Sequence, residues 1–177
     1  MPCSAKFEEQ NSIESRTKYI EEMLDKELSI QPVFISSKEI GKVMVQLKKN
    51  KNSLENCSTF RDYKKFLSTF GAMYYHNVCI DGPLKASTEK EKIKYLKAHQ
   101  QEFETVGKIC NITEHVLKSC WYIGYNNEND EYYIDASITG RGFIYCKKYY
   151  GPIQVFALDF LEFIDNIYLD YKKENNI

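Results

Sequence analysis

The chain has 177 residues, enough for one domain with a hydrophobic core, and its 43% of hydrophobic residues excludes an intrinsically disordered protein. With 24 basic and 25 acidic residues, the net charge of −1 excludes a global positive field that would attract nucleic acid or an anionic membrane. The first residues lack the pattern of a secretory signal and no run of about 18 apolar residues occurs, so we expect a cytoplasmic protein.

The N-terminal part of the chain has the period of amphipathic helices. Apolar residues recur at helical spacing over residues 7–28, and we expect a helix there that packs outside the main core. Pro32 interrupts this pattern because proline lacks the backbone N–H that a helix needs. A second helix is predicted over residues 36–47, with Ser36 and Glu39 as its capping box.

Two more helices follow. Residues 51–58 are polar and predict a loop, after which Thr59 is the expected cap of a third helix. Gly71 is the expected end of that helix, since glycine readily adopts the left-handed conformation past a helix C-terminus. Thr88 and Glu91 predict a capping box for a fourth helix.

Short extended segments predict a sheet in the second half of the chain. Residues 73–80 are rich in aromatic and β-branched types and predict a first strand. Beyond Val106, extended segments alternate with clusters of Asn, Asp, Gly and Pro, as in an antiparallel meander. The further strands are predicted at residues 106–110, 120–125, 132–135, 142–145 and 153–156, before a last helix capped by Asp159. An antiparallel sheet of about five to six strands flanked by helices indicates an α+β fold.

No motif predicts catalysis or a cofactor. The three histidines lie in no catalytic motif, and the sequence contains no GxSxG, HExxH, P-loop or GxGxxG pattern. The six cysteines include no Cys-x-x-Cys pair, and we expect reduced, buried thiols. The residue types allow two candidate zinc sets, His76 with Cys79, and Cys110 with His115 and Cys120, but only the first has close ligand spacing. We therefore expect no enzyme, no metal and no cofactor.

One patch has the composition of a surface that stacks nucleic-acid bases. Tyr149 and Tyr150 stand beside Lys147 and Lys148, which combines aromatic rings with positive charge. The other lysines form short clusters at helix ends and loops, as on solvated helix faces. We therefore expect no nucleic-acid partner.

Several segments together resemble the SUKH superfamily, a mostly bacterial family named partly after a yeast cell-wall synthesis regulator. They are WYIG at 121–124, EYYID at 131–135, GFIY at 142–145 and LDFLEFI at 158–164, and residues 40–47 and 60–72 resemble the family's early helix pair and its glycine stop. The resemblance covers residues 36–169. It implies a SUKH-like α+β domain at 36–177, preceded by an N-terminal helical extension at 1–35.

The same resemblance implies a role in protein binding without catalysis. Bacterial members are similar to immunity proteins that neutralise polymorphic toxins, often nucleases, by occluding them. The chain is thus expected to bind a cognate toxin domain, and the alternative is an intracellular scaffold or regulatory adaptor of the same fold. Residues 111–171 hold nine acidic and four basic side chains, a local excess that would attract a basic toxin.

The residues expected to contact the partner are aromatic and acidic side chains near the predicted strands. They are Trp121, Tyr125, Asp130, Tyr132, Tyr133, Asp135 and Phe143. The alternation along the strands supports a second interpretation equally, in which Trp121 and Phe143 belong to the core.

Overall fold

The computed structural model describes residues 12–24, 37–47, 49, 51–80, 88–137 and 142–177. These residues form seven α-helices and a six-stranded antiparallel sheet, which confirms the predicted α+β fold. The helices are α1 (Thr17–Met23, after a 3₁₀ turn at Glu14–Arg16), α2 (Ser37–Gln46), α3 (Lys51–Asn56), α4 (Ser58–Thr69), α5 (Glu89–Ile109), α6 (Glu114–Ser119) and α7 (Phe160–Asn175). The strands are β1 (Met73–Tyr75), β2 (Val78–Ile80), β3 (Cys120–Asn126), β4 (Glu131–Asp135), β5 (Ile144–Lys147) and β6 (Ile153–Ala157).

The sheet is a simple meander in which each strand pairs with the next along the chain. The register places Tyr122 opposite Tyr133, Tyr133 opposite Tyr145 and Tyr145 opposite Val155. The pairing of β3 with β4 shifts between Tyr122 and Gly124. A β-carbon added at Gly124 would lie 2.0 Å from the Cys79 carbonyl oxygen, so β2 can approach this part of β3 only because residue 124 is glycine.

One face of the sheet packs against α4 and α7 and forms the apolar core. The contacts are dominated by aromatic rings, whose centroids lie 5.0 to 5.4 Å apart. The pairs are Phe60 with Trp121, Phe66 with Tyr75, and Phe163 with Tyr132. Each of these contacts joins a helix to a different strand, so the core extends across the sheet.

The opposite face lies under α5 and is richer in polar groups. Phe103 packs on Tyr133 at 4.2 Å between ring centroids, and the imidazole of His99 stacks on Tyr122 at 4.1 Å. Because side chains alternate along a strand, Tyr132 and Ile134 of β4 face the core, whereas Glu131, Tyr133 and Asp135 face α5. Both faces of the central strands are therefore covered.

The N-terminal segment is part of the core, and the expectation that its helix packs outside is wrong. Ile13, Ile20 and Met23 are buried and belong to the same hydrophobic cluster as the sheet. The bidentate ion pair of Arg16 with Asp165 holds the segment on α7, with nitrogen to oxygen distances of 2.9 and 2.7 Å. The predicted boundary between residues 35 and 36 lies outside the described residues.

Four local predictions are wrong. Residues 51–56 form α3 instead of a loop, and Thr59 is buried inside α4, whose N-cap position is Cys57. Residues 106–109 continue α5 instead of forming a strand. Gly107 lies there against α6, and an added β-carbon would lie 2.2 Å from Leu117 Cδ2. Residues 73–80 form two strands, β1 and β2, around a turn in which His76 has φ of 54°.

Predictions based on local chemistry are confirmed. Thr88 and Glu91 form the capping box of α5, and Asp159 caps α7 by accepting a hydrogen bond from Glu162 N at 2.8 Å. Gly71 has φ of 86° after α4. The strands predicted from residue 120 onward lie within two residues of β3 to β6. Ser36, the other predicted cap, lies outside the described residues.

Candidate protein-binding surface

Five of the seven residues predicted to contact a partner are buried. They are Trp121, Asp130, Tyr132, Tyr133 and Asp135. The ring of Trp121 packs edge-on against Phe60 in the core, which favours the core interpretation of this residue. Tyr125 and Phe143 are half-buried, but they lie on different sides of β4 and do not form one surface.

The acidic residues of β4 form internal hydrogen bonds. Glu131 Oε1 lies 2.6 Å from His99 Nδ1, and Glu131 Oε2 accepts hydrogen bonds from Tyr133 Oη at 2.7 Å and Lys147 Nζ at 3.0 Å. The Lys147 ammonium also lies 2.8 Å from Glu102 Oε1 of α5. Asp135 Oδ1 accepts a hydrogen bond from Ser137 N at 2.9 Å. The acidic residues of β4 therefore do not form an acidic surface, although they contribute to the acidic excess in the sequence.

Glu131 and Lys147 both stay ionised at neutral pH. Burial raises the pKa of Glu131, but hydrogen bonds from His99 and Tyr133 outweigh it, so the net effect is a pKa below the usual value. Burial lowers the pKa of Lys147, but its bonds to Glu102 and Glu131 outweigh it and leave the pKa raised. A carboxylate and an ammonium that both stay ionised suit an ion pair that fastens α5 to the sheet, rather than proton transfer near pH 7.

A second buried carboxylate fixes the loop between β5 and β6. Asp130 Oδ2 lies 2.7 Å from Lys148 Nζ, and Asp130 Oδ1 accepts a hydrogen bond from Tyr149 N at 3.0 Å. Asn126 Nδ2 donates to the same carboxylate at 3.2 Å. Burial raises the pKa of Asp130, but these hydrogen bonds outweigh it and lower the pKa overall. The carboxylate therefore joins the turn after β3 to the turn after β5.

The fixed loop begins an exposed apolar patch. Tyr149 is 55% exposed, Tyr150 94%, Val155 47% and Leu158 57%. We call these four residues the β6 patch. They lie within a segment of ten residues, 149–158, that contains no charged side chain. Tyr149 and Tyr150 lie in the turn before β6, Val155 in the strand and Leu158 after it, so the four residues follow β6 from one end to the other. Several exposed apolar side chains along one element are a candidate interaction site, whereas single exposed ones are common.

The β6 patch borders an open edge of the sheet. Among the described strands, β6 pairs with β5 alone. The hydrogen bond from Asp135 N to Phe143 O, at 2.8 Å, fixes which residues of β5 bond to β4. Because bonded and non-bonded pairs alternate in an antiparallel ladder, Tyr145 and Lys147 turn their backbone groups towards β4. Cys146, between them, therefore bonds to Gln154 of β6.

The same alternation determines the free groups of β6. Ile153 and Val155, on either side of Gln154, direct their backbone N–H and C=O away from β5 and towards the open edge. The hydrogen bond from Lys148 N to Pro152 O fits this alternation. Beyond Val155 the edge is closed by α7, since Asn166 Nδ2 donates to the Phe156 carbonyl at 3.2 Å. Two residues of β6 thus present four backbone groups that no other described residue pairs with, beside the β6 patch.

The chain covers the opposite edge of the sheet with its own N-terminal segment. Leu24 forms an antiparallel bridge with Tyr75 of β1, and His76 N donates to the Met23 carbonyl at 2.6 Å. Unpaired edge strands promote association with other chains, and proteins commonly cover them. Here the covering segment protects β1, whereas no segment within the described ranges pairs with the outer edge of β6.

The histidines and cysteines remain separate. Within the described part of the chain, no three His, Cys, Asp or Glu side chains lie close enough to hold a metal ion, which includes both candidate zinc sets. Cys79 and Cys120 are buried free thiols, and His76 lies against the Tyr171 ring. None of the helices in the described ranges has the length and apolar character needed to traverse a bilayer.

Comparisons of the chain with protein-family models, curated proteins and solved structures found no significant match. The SUKH resemblance therefore stays a prediction from the sequence.

Val155 and Leu158 were not among the predicted contact residues. The sequence feature that could have indicated them is the uncharged segment 149–158. Its position at the edge of the sheet, however, follows from the strand order, which the sequence does not give.

Proposed function

We propose that this chain is a non-catalytic protein-binding module that adds a strand of its partner to the open edge of β6. The observation that carries the proposal is the set of outward backbone groups on Ile153 and Val155, which pair with no other residue that the structure describes and are bordered by the exposed side chains of the β6 patch. In strand addition, backbone hydrogen bonds supply affinity and the flanking side chains supply specificity. The β6 edge offers both.

The loop next to this edge is already in a fixed conformation. Asp130 bonds to Lys148 Nζ and to Tyr149 N, so Tyr149 and Tyr150 are held beside β6 before any partner arrives. Preorganisation lowers the conformational entropy that binding would otherwise remove. Tyrosine suits such a contact because its ring covers a large area with few rotatable bonds.

The resemblance to the SUKH superfamily supports a more specific proposal: the partner is a toxin domain, and this chain is its immunity protein in the bacterial cytoplasm. Occlusion of a toxin requires binding alone. The alternative is an intracellular scaffold or regulatory adaptor that uses the same edge. It is favoured by the burial of Asp130, Glu131 and Asp135, which weakens the electrostatic argument for a basic nuclease.

A matched pair of variants tests the binding edge. Val155→Lys places a charge in the β6 patch, and Ile109→Lys makes the same change at an exposed position at the end of α5. Tagged wild-type chain and Ile109→Lys should capture one stoichiometric partner from native cytoplasm, identified by mass spectrometry, and Val155→Lys should lose it. Equal capture by Val155→Lys would contradict the proposed edge.

The captured partner then distinguishes toxin neutralisation from an adaptor role. The partner is expressed alone in bacteria, and growth is followed with and without this chain. Growth arrest that wild-type chain relieves and Val155→Lys does not would support an immunity protein. A partner that leaves growth unchanged would support the adaptor.

A further inference from the structure

We infer that two copies of this chain pair through β6, antiparallel, about a two-fold axis at Gln154. The inference rests on the proposed function in that both use the open edge of β6. It adds the identity of one occupant, a second copy of the chain. A two-fold axis requires a surface that is complementary to itself, and the β6 edge meets this requirement in its backbone, its side chains and its charge.

The backbone groups match when Gln154 lies on the axis. Ile153 of each copy is then opposite Val155 of the other, and both residues direct their N–H and C=O outwards. These two equivalent pairs join all the free groups of Ile153 and Val155. An axis at Val155 would instead bring Ile153 opposite Ala157, which faces Ile144 of its own chain. The axis at Gln154 is therefore the register that leaves no free group on these residues.

The exposed side chains also suit this register. Tyr150 lies in the turn before β6 and Leu158 follows its end, so antiparallel pairing brings the turn of each copy towards the end of β6 in the other. Val155 lies opposite Ile153 on the α5 side of the sheet. Pairing thus covers apolar surface at both ends of the strand.

The segment that forms the edge carries no charge that would oppose the pairing. Residues 149–158 carry no charge, so no like charges are brought together along the joint. Pro152, which has no backbone N–H, lies opposite Phe156, whose carbonyl already accepts the Asn166 hydrogen bond. The charges begin outside this segment, with Lys148 at one end and Asp159 at the other, and the two-fold axis brings opposite signs near each other.

The homodimer and a partner complex are mutually exclusive in this arrangement. A partner strand would need the N–H and C=O groups of Ile153 and Val155 that the second copy occupies. The dimer thus protects the open edge until a partner replaces one copy. This exchange requires that the homodimer be weaker than the partner complex.

A disulfide tests the register directly. Opposite residues of a non-hydrogen-bonded antiparallel pair have Cα atoms about 4.5 Å apart, and two Gln154 residues form such a pair about the axis. Gln154→Cys should therefore form a disulfide-linked dimer in air, seen on a non-reducing gel. Val155→Cys is the register control, since its two thiols would be diagonal neighbours with Cα atoms about 7–8 Å apart and should not link. Wild-type chain under the same oxidation shows any background from the native cysteines.

Sedimentation equilibrium tests the association without a covalent link. Between about 1 and 300 µM, a range suited to a weak interface, wild-type chain and Ile109→Lys should move from the 20.8 kDa of one chain to twice that mass. Val155→Lys should remain a monomer, with unchanged far-UV circular dichroism and urea midpoint. A wild-type monomer at every concentration, a dimer that persists in Val155→Lys, or absence of the Gln154→Cys link would overturn the inference.

The two proposals fail separately. A monomeric wild-type chain that still loses its partner on Val155→Lys would reject the homodimer and keep the proposed function. A dimer that Val155→Lys dissociates, together with partner capture that Val155→Lys leaves intact, would reject the proposed function and keep the homodimer.

Discussion

Asp130 and Lys148 join two turns that are 18 residues apart in the sequence. The carboxylate bonds to the Lys148 ammonium with one oxygen and to the backbone N–H of Tyr149 with the other. The turn after β3 thereby positions the loop that begins the β6 patch. A buried residue that no partner touches can thus control the shape of the proposed binding surface.

Replacement of Asp130 by Asn should destabilise the fold. Asn has nearly the same size but no charge, so the Lys148 ammonium loses its partner and one carboxylate oxygen becomes an amide donor. We expect the free energy of unfolding at pH 7 to fall by about 1–3 kcal/mol, measured by urea unfolding. Glu128→Gln, at an exposed position in the same turn, is the matched control and should change it by less than about 0.5 kcal/mol. An Asp130→Asn midpoint equal to the wild-type midpoint would show that the carboxylate does not hold the loop.

Replacement of Glu131 by Gln should destabilise the protein in a way that depends on pH. Glu131 is a buried partner of both His99 and Lys147, and loss of one member of a buried ion pair costs about 3–5 kcal/mol. We expect the free energy of unfolding at pH 7, measured by urea unfolding, to fall by about 3–5 kcal/mol. Lys147→Met with Glu131→Gln, which removes both charges, should recover part of it.

The pH dependence of the Glu131 contribution has a defined sign. The pKa of the folded carboxyl is lowered from its ordinary value of 4.5, so the folded chain releases this proton more readily than the unfolded chain. The stabilisation is fully present above pH 4.5 and is lost as the pH falls through the lower folded value. The difference in urea midpoint between wild type and Glu131→Gln should therefore shrink below pH 4.5, and a difference that stays constant into acid would refute the ionised pair.

The parts of the fold that were predictable depend on neighbours in the sequence. The caps Thr88 and Asp159 bond to groups three residues away, and Asn126 Oδ1 in the turn after β3 accepts hydrogen bonds from Glu128 N and Asp130 N. Residues 51–56 and 106–109 were assigned wrongly because their helices depend on tertiary packing, as Gly107 against Leu117 illustrates. Long-range packing overrides local propensity at these positions.

The candidate site was less predictable than the fold. Alternation along β4 distinguishes a buried from an exposed face only when one face is open, and here helices cover both, so Tyr132 and Tyr133 are buried alike. The order of the strands decides which edge is open. Val155 and Leu158 became candidates only once β6 was known to be last in the sheet.

Gly124 and Gly41 provide a prediction about close packing. A β-carbon at Gly124 would lie 2.0 Å from the Cys79 carbonyl oxygen, which cannot move unless β2 moves with it. A β-carbon at Gly41 of α2 would have no atom within 4 Å. Gly124→Ala should lower the free energy of unfolding by at least about 2 kcal/mol. Gly41→Ala should raise it by about 0.5–1 kcal/mol, because alanine favours the helix. Equal midpoints for the two variants would contradict the approach of β2 to β3.

Lys49 provides a prediction at alkaline pH. Its Nζ donates to the backbone carbonyls of Lys118, at 3.0 Å, and Cys120, at 2.8 Å, beside the C-terminal end of α6. Burial lowers the pKa of this amine from 10.5 to about 8. Between these two values the unfolded chain holds a proton that the folded chain has released, so the free energy of unfolding should rise with pH in that window.

Lys49→Met removes the titrating amine and should remove this rise. Relative to the variant, wild-type chain should gain stability between about pH 8 and pH 10, followed by the urea midpoint at closely spaced pH values. Lys108→Met, at an exposed position of α5, is the matched control for loss of a lysine charge. A constant difference between wild type and Lys49→Met across the window would mean that Lys49 keeps its charge when folded. Its bonds to the two carbonyls would then outweigh the cost of burial.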